Sequence, residues 1–537
     1  MSDLANFLTN KPEQIALPPV PARESAAADA NGKVQIDLGF DHLPTHNKLC
    51  WQAIEQGNEP PVLFRFAAQW SRVVLDDLGR PCVQLATPEV VRHHLSQWAE
   101  WFKDIPQVGS KKPPMDIIKD VIATHNPPLP ILRRIVTTPV FARDGSLSLT
   151  PGYNATSGVF YAPREGFAAL PVPDWVEAEQ VEEAKLILCG DLLPNFPFAS
   201  SADRTNALGL FLLPFARDLI DGPTPNHLVE ASIRGSGKTL LVNALLSAAL
   251  GGDVATLTEQ HDDEGWRKAI TSHLLAALPV ALIDNVNRNV NSGALAAAWT
   301  ATTWNDRILG KSELANVPIQ TIWTMTGNNV TMSAELIRRS IRIRLVPDTD
   351  KPEDRSGFKH ENLKAWCREN QAKLAWCAHV IIKWWLQHGQ PKPEGLKPFG
   401  SFEEWQRVIG GCLYAIGFTD FLGNAKEFQA ASDTDTDVRA AFCANWWNWS
   451  QSSGFADARK DARVSDLLSI AQNVEGFPLS DKSDKAAQIS LGKWLKRHNQ
   501  AFVSVADDEG TARFQIKSGR FRDGVQYWEL RKIEYEN

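Results

Sequence analysis

Residues 232–239 read Ser-Ile-Arg-Gly-Ser-Gly-Lys-Thr, between an apolar stretch, His227-Leu-Val-Glu-Ala231, and the run Leu240-Leu-Val-Asn-Ala-Leu-Leu-Ser-Ala-Ala-Leu250. Strand, small-residue loop and helix in that order constrain the chain more than any other feature. Glycines at 235 and 237 let backbone N–H groups converge on one point, and the positive end of the following helix faces the same point. A phosphate group is the natural occupant. Gly235, Ser236, Gly237, Lys238 and Thr239 are the candidate nucleotide-binding residues, with Lys238 bridging the β- and γ-phosphates and the Thr239 hydroxyl on Mg²⁺. Ser232 stands where the first glycine of such loops is usual.

Three later passages extend this site. Pro279-Val-Ala-Leu-Ile-Asp-Asn285 is an apolar strand ending in a carboxylate, and Asp284 there is a candidate holder of Mg²⁺. Asn285 occupies the place where many ATPases put a water-activating glutamate; Glu259, Glu264 and Asp284 itself remain open as the base. Gln320-Thr-Ile-Trp-Thr-Met-Thr-Gly-Asn-Asn329 is a second apolar strand ending in two amides, of which Asn328 is the choice for orienting an attacking water, with Asn329 close beside it. Then Arg338 and Arg339 end a helix before a further strand, as candidate arginine fingers.

The order of phosphate loop, Asp-Asn strand, Thr-Gly-Asn-Asn strand and Arg-Arg pair resembles the AAA+ ATPases. Within them it looks most like the superfamily 3-type helicase modules of phage and plasmid replication proteins, often fused to primase-polymerases. Asn305-Asp-Arg-Ile-Leu-Gly-Lys-Ser-Glu313 and Ser401-Phe-Glu-Glu-Trp-Gln-Arg-Val-Ile-Gly-Gly411 add to the likeness, which covers roughly residues 120–450. It implies a ring, commonly hexameric, with ATP and Mg²⁺ between subunits and single-stranded or forked DNA in the pore. It also implies a DNA-touching hairpin from Arg307 to about Val317, making Lys311 a pore contact; Arg307 is an alternative trans-acting arginine. No carboxylate and histidine set for priming stands in residues 36–200, so a separate primase or polymerase is an expected partner.

The fold class expected is α/β. An AAA+ core at 201–350 follows a tail at 1–35 and a mixed α+β N-terminal domain at 36–200. A helical region at 351–454 and a winged-helix-like, DNA-binding unit at 455–537 complete the chain. In that last unit Lys493, Lys496 and Arg497, with His498, crowd one helix and supply candidate phosphate contacts. In the first, Pro88 to Phe102 reads as one amphipathic helix. Tryptophans of the helical region (366, 376, 384, 385, 405, 446, 447, 449) read as core.

A net charge of −7 excludes a polycation, so nucleic acid must meet local patches or a channel. Seven dispersed cysteines fit free thiols of a reducing cytoplasm, and no apolar run of membrane length exists, so a cytoplasmic chain without membrane contact is expected. Two other classes share the phosphate loop. A protein-remodelling or phage-defence ATPase would use every one of these residues without unwinding DNA. A small-molecule kinase would need no arginine in trans, and the 537-residue length argues against it.

Overall fold

The computed structural model describes residues 32–77, 79–103, 111–307, 314–431, 434–452, 461–480, 483–507, 510–522 and 524–533. Most of the expected tail, and Lys311, lie outside the described residues.

At the centre is a five-stranded parallel sheet. Its spatial order is Thr256–Leu257, Val280–Val286, Ile322–Asn328, Asn226–Ala231, Ser340–Leu345. These are, in turn, a short edge strand, the carboxylate strand, the asparagine strand, the loop strand and the far edge strand. The long strands are apolar on both faces because both faces are covered. Val280, Leu282, Ile322, Val229 and Ala231 face one cluster, which includes the loop helix Lys238–Leu250, helix Ser201–Ala216 and helix Gln371–Gln387. Ala281, Ile283, Trp323, Met325 and Leu228 face a second, with helices Asp263–Leu275 and Gly293–Thr300. Phe64, Phe66, Leu132 and Ile135 from the N-terminal third pack into that second cluster. The loop helix is therefore sandwiched, which explains why it is apolar all round.

The N-terminal region carries a separate small core around helices Leu43–Gly57, Pro88–Trp98 and Met115–Ile122. Here the single helix expected over 88–102 is corrected. The helix stops at Trp98, and Ala99–Phe102 is a strand paired in parallel with Val34–Asp37. Long-range pairing supplies hydrogen bonds that the local apolar period did not foretell, and Trp101 Nε1 donates to Leu95 O at 3.0 Å to lock the break.

Trp385, Trp405 and Trp446 are buried, as core tryptophans should be, while Trp449 is exposed. At the C-terminal end, helices Val464–Gln472 and Asp484–Arg497 pack on an antiparallel sheet of order Asp461–Arg463, Val525–Ile533, Gly510–Arg522, Phe502–Asp507. Phe442, Cys443 and Trp446, from helix Thr434–Ser452, belong to this same apolar cluster. Among the described residues no helix is long and apolar enough to cross a membrane, and no group of three or more metal-ligand side chains stands together. All seven cysteines are free, five of them buried.

Candidate nucleotide site

The site forms where three neighbouring strands end beside the start of the loop helix. Side chains alternate along a strand, so residues 280, 282 and 284 face the loop helix, as do 322, 324, 326 and 328. That parity decides which of each polar pair looks inward. Asp284 Oδ1 accepts from Thr239 Oγ1 at 2.7 Å, and Lys238 Nζ donates to Asn328 Oδ1 at 2.7 Å. Lys238 also donates to Ser236 Oγ at 3.2 Å. Asn329 instead has a left-handed φ of 44°, and its N–H donates to Ala231 O at 3.2 Å. Lys238 with Asn328, and Thr239 with Asp284, thus form two hydrogen-bonded pairs at the start of the loop helix.

The loop itself satisfies what a phosphate needs. Gly235 and Gly237 have φ of 74° and 85°, a conformation that costs other residues strain. A Cβ on Gly235 would stand 2.8 Å from Glu353 Oε2, so a side chain there would push Glu353 aside. Ser232 is not among the positive-φ residues, which is why serine serves where glycine is usual. Burial pushes the Lys238 amine below the ordinary lysine range, with Asp284 opposing the shift. An anionic ligand would relieve that unfavourable burial. Hard oxygens on Thr239 and Asp284, already within one hydrogen bond of each other, suit Mg²⁺.

Asn285 sits in a β-bulge. The pairing of the carboxylate strand with the asparagine strand slips by one residue between Ile283 and Val286. Asn285 there has φ 55°, which asparagine tolerates better than glutamate does, so the missing acid has a backbone reason. Gly327 faces the bulge, and a Cβ on it would lie 2.8 Å from Val286 O.

Sequence reasoning missed three neighbours. Thr326 Oγ1 donates to Asp284 Oδ1 at 2.6 Å and accepts from Asn285 N–H at 2.9 Å. Its period-two spacing from Asn328 was the available signal. Glu353 overhangs Gly235, and Phe196 lies 3.6 Å from where a Gly237 Cβ would be; both come from distant loops with no local signature. Of the acids left open as base, Glu264 is exposed and paired with Lys268 at 2.7 Å. Glu259 follows a strand whose Leu257 pairs with Ile283, so it leaves the sheet alongside Asp284.

The arginines lie elsewhere. Arg338 and Arg339 precede Ser340, which pairs with Asn226, whereas the phosphate loop follows Ala231. Five residues of strand, about 17 Å, separate the end of the sheet where the arginines lie from the end where the loop begins. Arg339 is held by Glu335 at 2.6 Å with its side chain 16% exposed; Arg338 is 64% exposed and no nearer than 3.8 Å to Glu335. Arg307 is exposed at the end of Thr303–Arg307, half of a two-stranded hairpin with Leu314–Pro318. The hairpin base is clamped: Asp306 pairs with Arg267 at 2.9 Å, and Trp304 Nε1 donates to Thr271 Oγ1 at 2.8 Å. Lys493, Lys496 and Arg497 are exposed on helix Asp484–Arg497, but His498 is buried, its Nδ1 2.9 Å from Trp494 O, and leaves the basic row.

No family model matches the chain, and no curated protein matches it. Among solved structures it is similar to the A form of the apo NrS-1 C-terminal region, at TM-score 0.34 and 11% identity, over 86% of this chain and 96% of that one. It is also similar to SCCmec type IV Cch, described as an active helicase, at TM-score 0.30 and 10% identity, over 88% of this chain and 97% of that one. Similarity of this size decides neither fold nor activity, so what the site does is argued from its own residues.

Proposed function

We propose that this chain is an AAA+-type ATP hydrolase that moves on and unwinds DNA as a ring, in the service of a phage or other mobile genetic element. The observation that carries the reading is the group of Lys238, Thr239, Asp284 and Asn328 around a glycine loop at a helix start. Because the asparagine strand lies between the loop strand and the carboxylate strand, an amide borders the space between cation and carboxylate. There Lys238 and the loop N–H groups would bind the β- and γ-phosphates, and Thr239 and Asp284 would hold Mg²⁺. Mg²⁺, when bound, supplies neutralising charge to the phosphate oxygens. Asn328 would orient a water, and Glu259, which leaves the sheet alongside Asp284, or Asp284 itself would take its proton.

Support for a ring comes from the arginines. They stand at the opposite end of the strands from the phosphate loop, so an arginine finger would serve another copy's site. Arg338, exposed and loosely held, is the better suited. Support for DNA comes from the clamped hairpin and from Lys493, Lys496 and Arg497 on a winged-helix-like unit.

The test is ATP turnover with and without single-stranded DNA, at two salt concentrations, on the wild type and Lys238→Ala. Stimulation that fades with salt, and loss of turnover in the variant, are expected. Turnover indifferent to DNA would replace this reading with a protein-remodelling or defence ATPase.

A further inference from the structure

The C-terminal ribbon of Gly510–Arg522 and Val525–Ile533 ends in an exposed aromatic side chain. Phe521 is 70% exposed. A single exposed apolar residue is ordinary; its aim and its neighbours are what single this one out. Along the ribbon, Phe514, Ile516 and Trp528 are buried on the helix-bearing face, and Ser518 pairs with Trp528 on that face. A regular strand would put Phe521 on the opposite face. The pairing slips by one residue between Ser518 and Phe521, so that Phe521 faces Gln526, two residues from Trp528. The bulge therefore turns Phe521 back onto the helix-bearing side.

Helix Asp484–Arg497 also carries exposed cations on that side. Ser518 N–H donates to Asn499 Oδ1 at 2.9 Å, fixing the ribbon against the end of helix Asp484–Arg497. Lys493, Lys496 and Arg497 are exposed there at i, i+3 and i+4, one patch on the helix. Arg520 and Arg522 flank the phenylalanine in sequence and are both exposed; Arg520 sits in the bulge, whereas Arg522 pairs with Val525 and so lies on the face opposite Phe521. On the other face Glu529 pairs in register with Lys517 and Asp461, and binds Arg531 at 2.8 Å.

We infer that this face is a binding site for unpaired DNA, with Phe521 stacking on an unstacked base while Lys493, Lys496 and Arg497 of the helix hold the adjoining phosphates. The inference rests on the reading of this chain as a DNA-binding motor and gives the C-terminal unit a specific part, the capture of a single strand. An aromatic ring among cations suits single strands, because every base has a π-face and duplex bases hide theirs.

The test is binding of a fluorescent single-stranded oligonucleotide, and of the same sequence as a blunt duplex, to the full chain at several salt concentrations. Phe521→Ala should weaken single-strand binding about five- to hundredfold and leave the salt slope intact, because no phosphate contact is lost. Phe521→Tyr should restore binding and Phe521→Leu should not. The double variant Lys496→Ala, Arg497→Ala should instead flatten the salt slope. Wild-type affinity in Phe521→Ala, rescue by leucine as good as by tyrosine, or an equal loss on duplex would overturn the stacking role while leaving the motor intact. A wild type that binds no DNA, with turnover indifferent to it, would overturn both readings.

Discussion

Thr326→Val tests the centre of the site with almost no change of shape. Thr326 is fully buried, and its hydroxyl donates to Asp284 while accepting from Asn285 N–H. Valine fills the same space without either bond, so no cavity forms and the loss is polar. Leaving those partners unsatisfied costs roughly 1–3 kcal/mol, and a fall in Tm of about 2–4 °C per kcal/mol leaves the chain folded. The larger effect falls on the metal. Removing a hydrogen-bond partner that orients a ligating carboxylate lowers metal affinity about 10–100-fold. The assay is ATP turnover against Mg²⁺ concentration at saturating ATP. The half-saturating Mg²⁺ concentration should rise by about that factor, turnover should recover at high Mg²⁺, and Thr326→Ser should behave like the wild type. An unchanged Mg²⁺ curve in Thr326→Val would refute either the hold of Thr326 on Asp284 or the role of Asp284 with Mg²⁺.

Arg338→Ala should lower hydrolysis by about 10³-fold or more without loss of ATP binding, and mixing it with Lys238→Ala should restore part of the activity. Mixtures as dead as their components would argue against a shared site. Glu259→Gln should lower kcat by about 10²–10⁴-fold with KM little changed; turnover at the wild-type level would return the base to Asp284. Burial pushes His227, His273 and His379 down to about 4, so they are neutral in the folded chain while the unfolded chain protonates them below about 6.5. Their contribution to stability is whole above that pH and is lost as pH falls towards 4, at up to about 4 kcal/mol per pH unit together. Urea midpoints at pH 7.5, 6 and 5 should fall accordingly, and His379→Leu should make the fall less steep; a flat profile would show that these rings take up protons in place.

Local chemistry made part of this molecule legible in the chain alone. A glycine loop between an apolar strand and an apolar run announces its own shape. Period-two alternation separates Asp284 from Asn285 and Asn328 from Asn329 and groups Thr326 with Asn328, but both faces of these strands are apolar, so only the packed sheet decides which face meets the loop helix. What could not be read there depends on which distant segments meet. Strand order puts the asparagine strand between the other two, and it is set by pairing of residues far apart in the chain. The pairing of residues far apart also turned Ala99–Phe102 from helix into strand. Glu353 and Phe196 reach the loop from remote segments. Arg338 and Arg339 are alike in sequence; only the packing of Glu335 against Arg339 leaves Arg338 the freer of the two. Phe521 is the sharpest instance. Alternation alone assigns it to the wrong face of its ribbon, and a one-residue slip in pairing, invisible without the partner strand, turns it back to the helix-bearing face. Composition and period determine what each segment can bury, whereas register and packing decide what each polar or aromatic side chain meets.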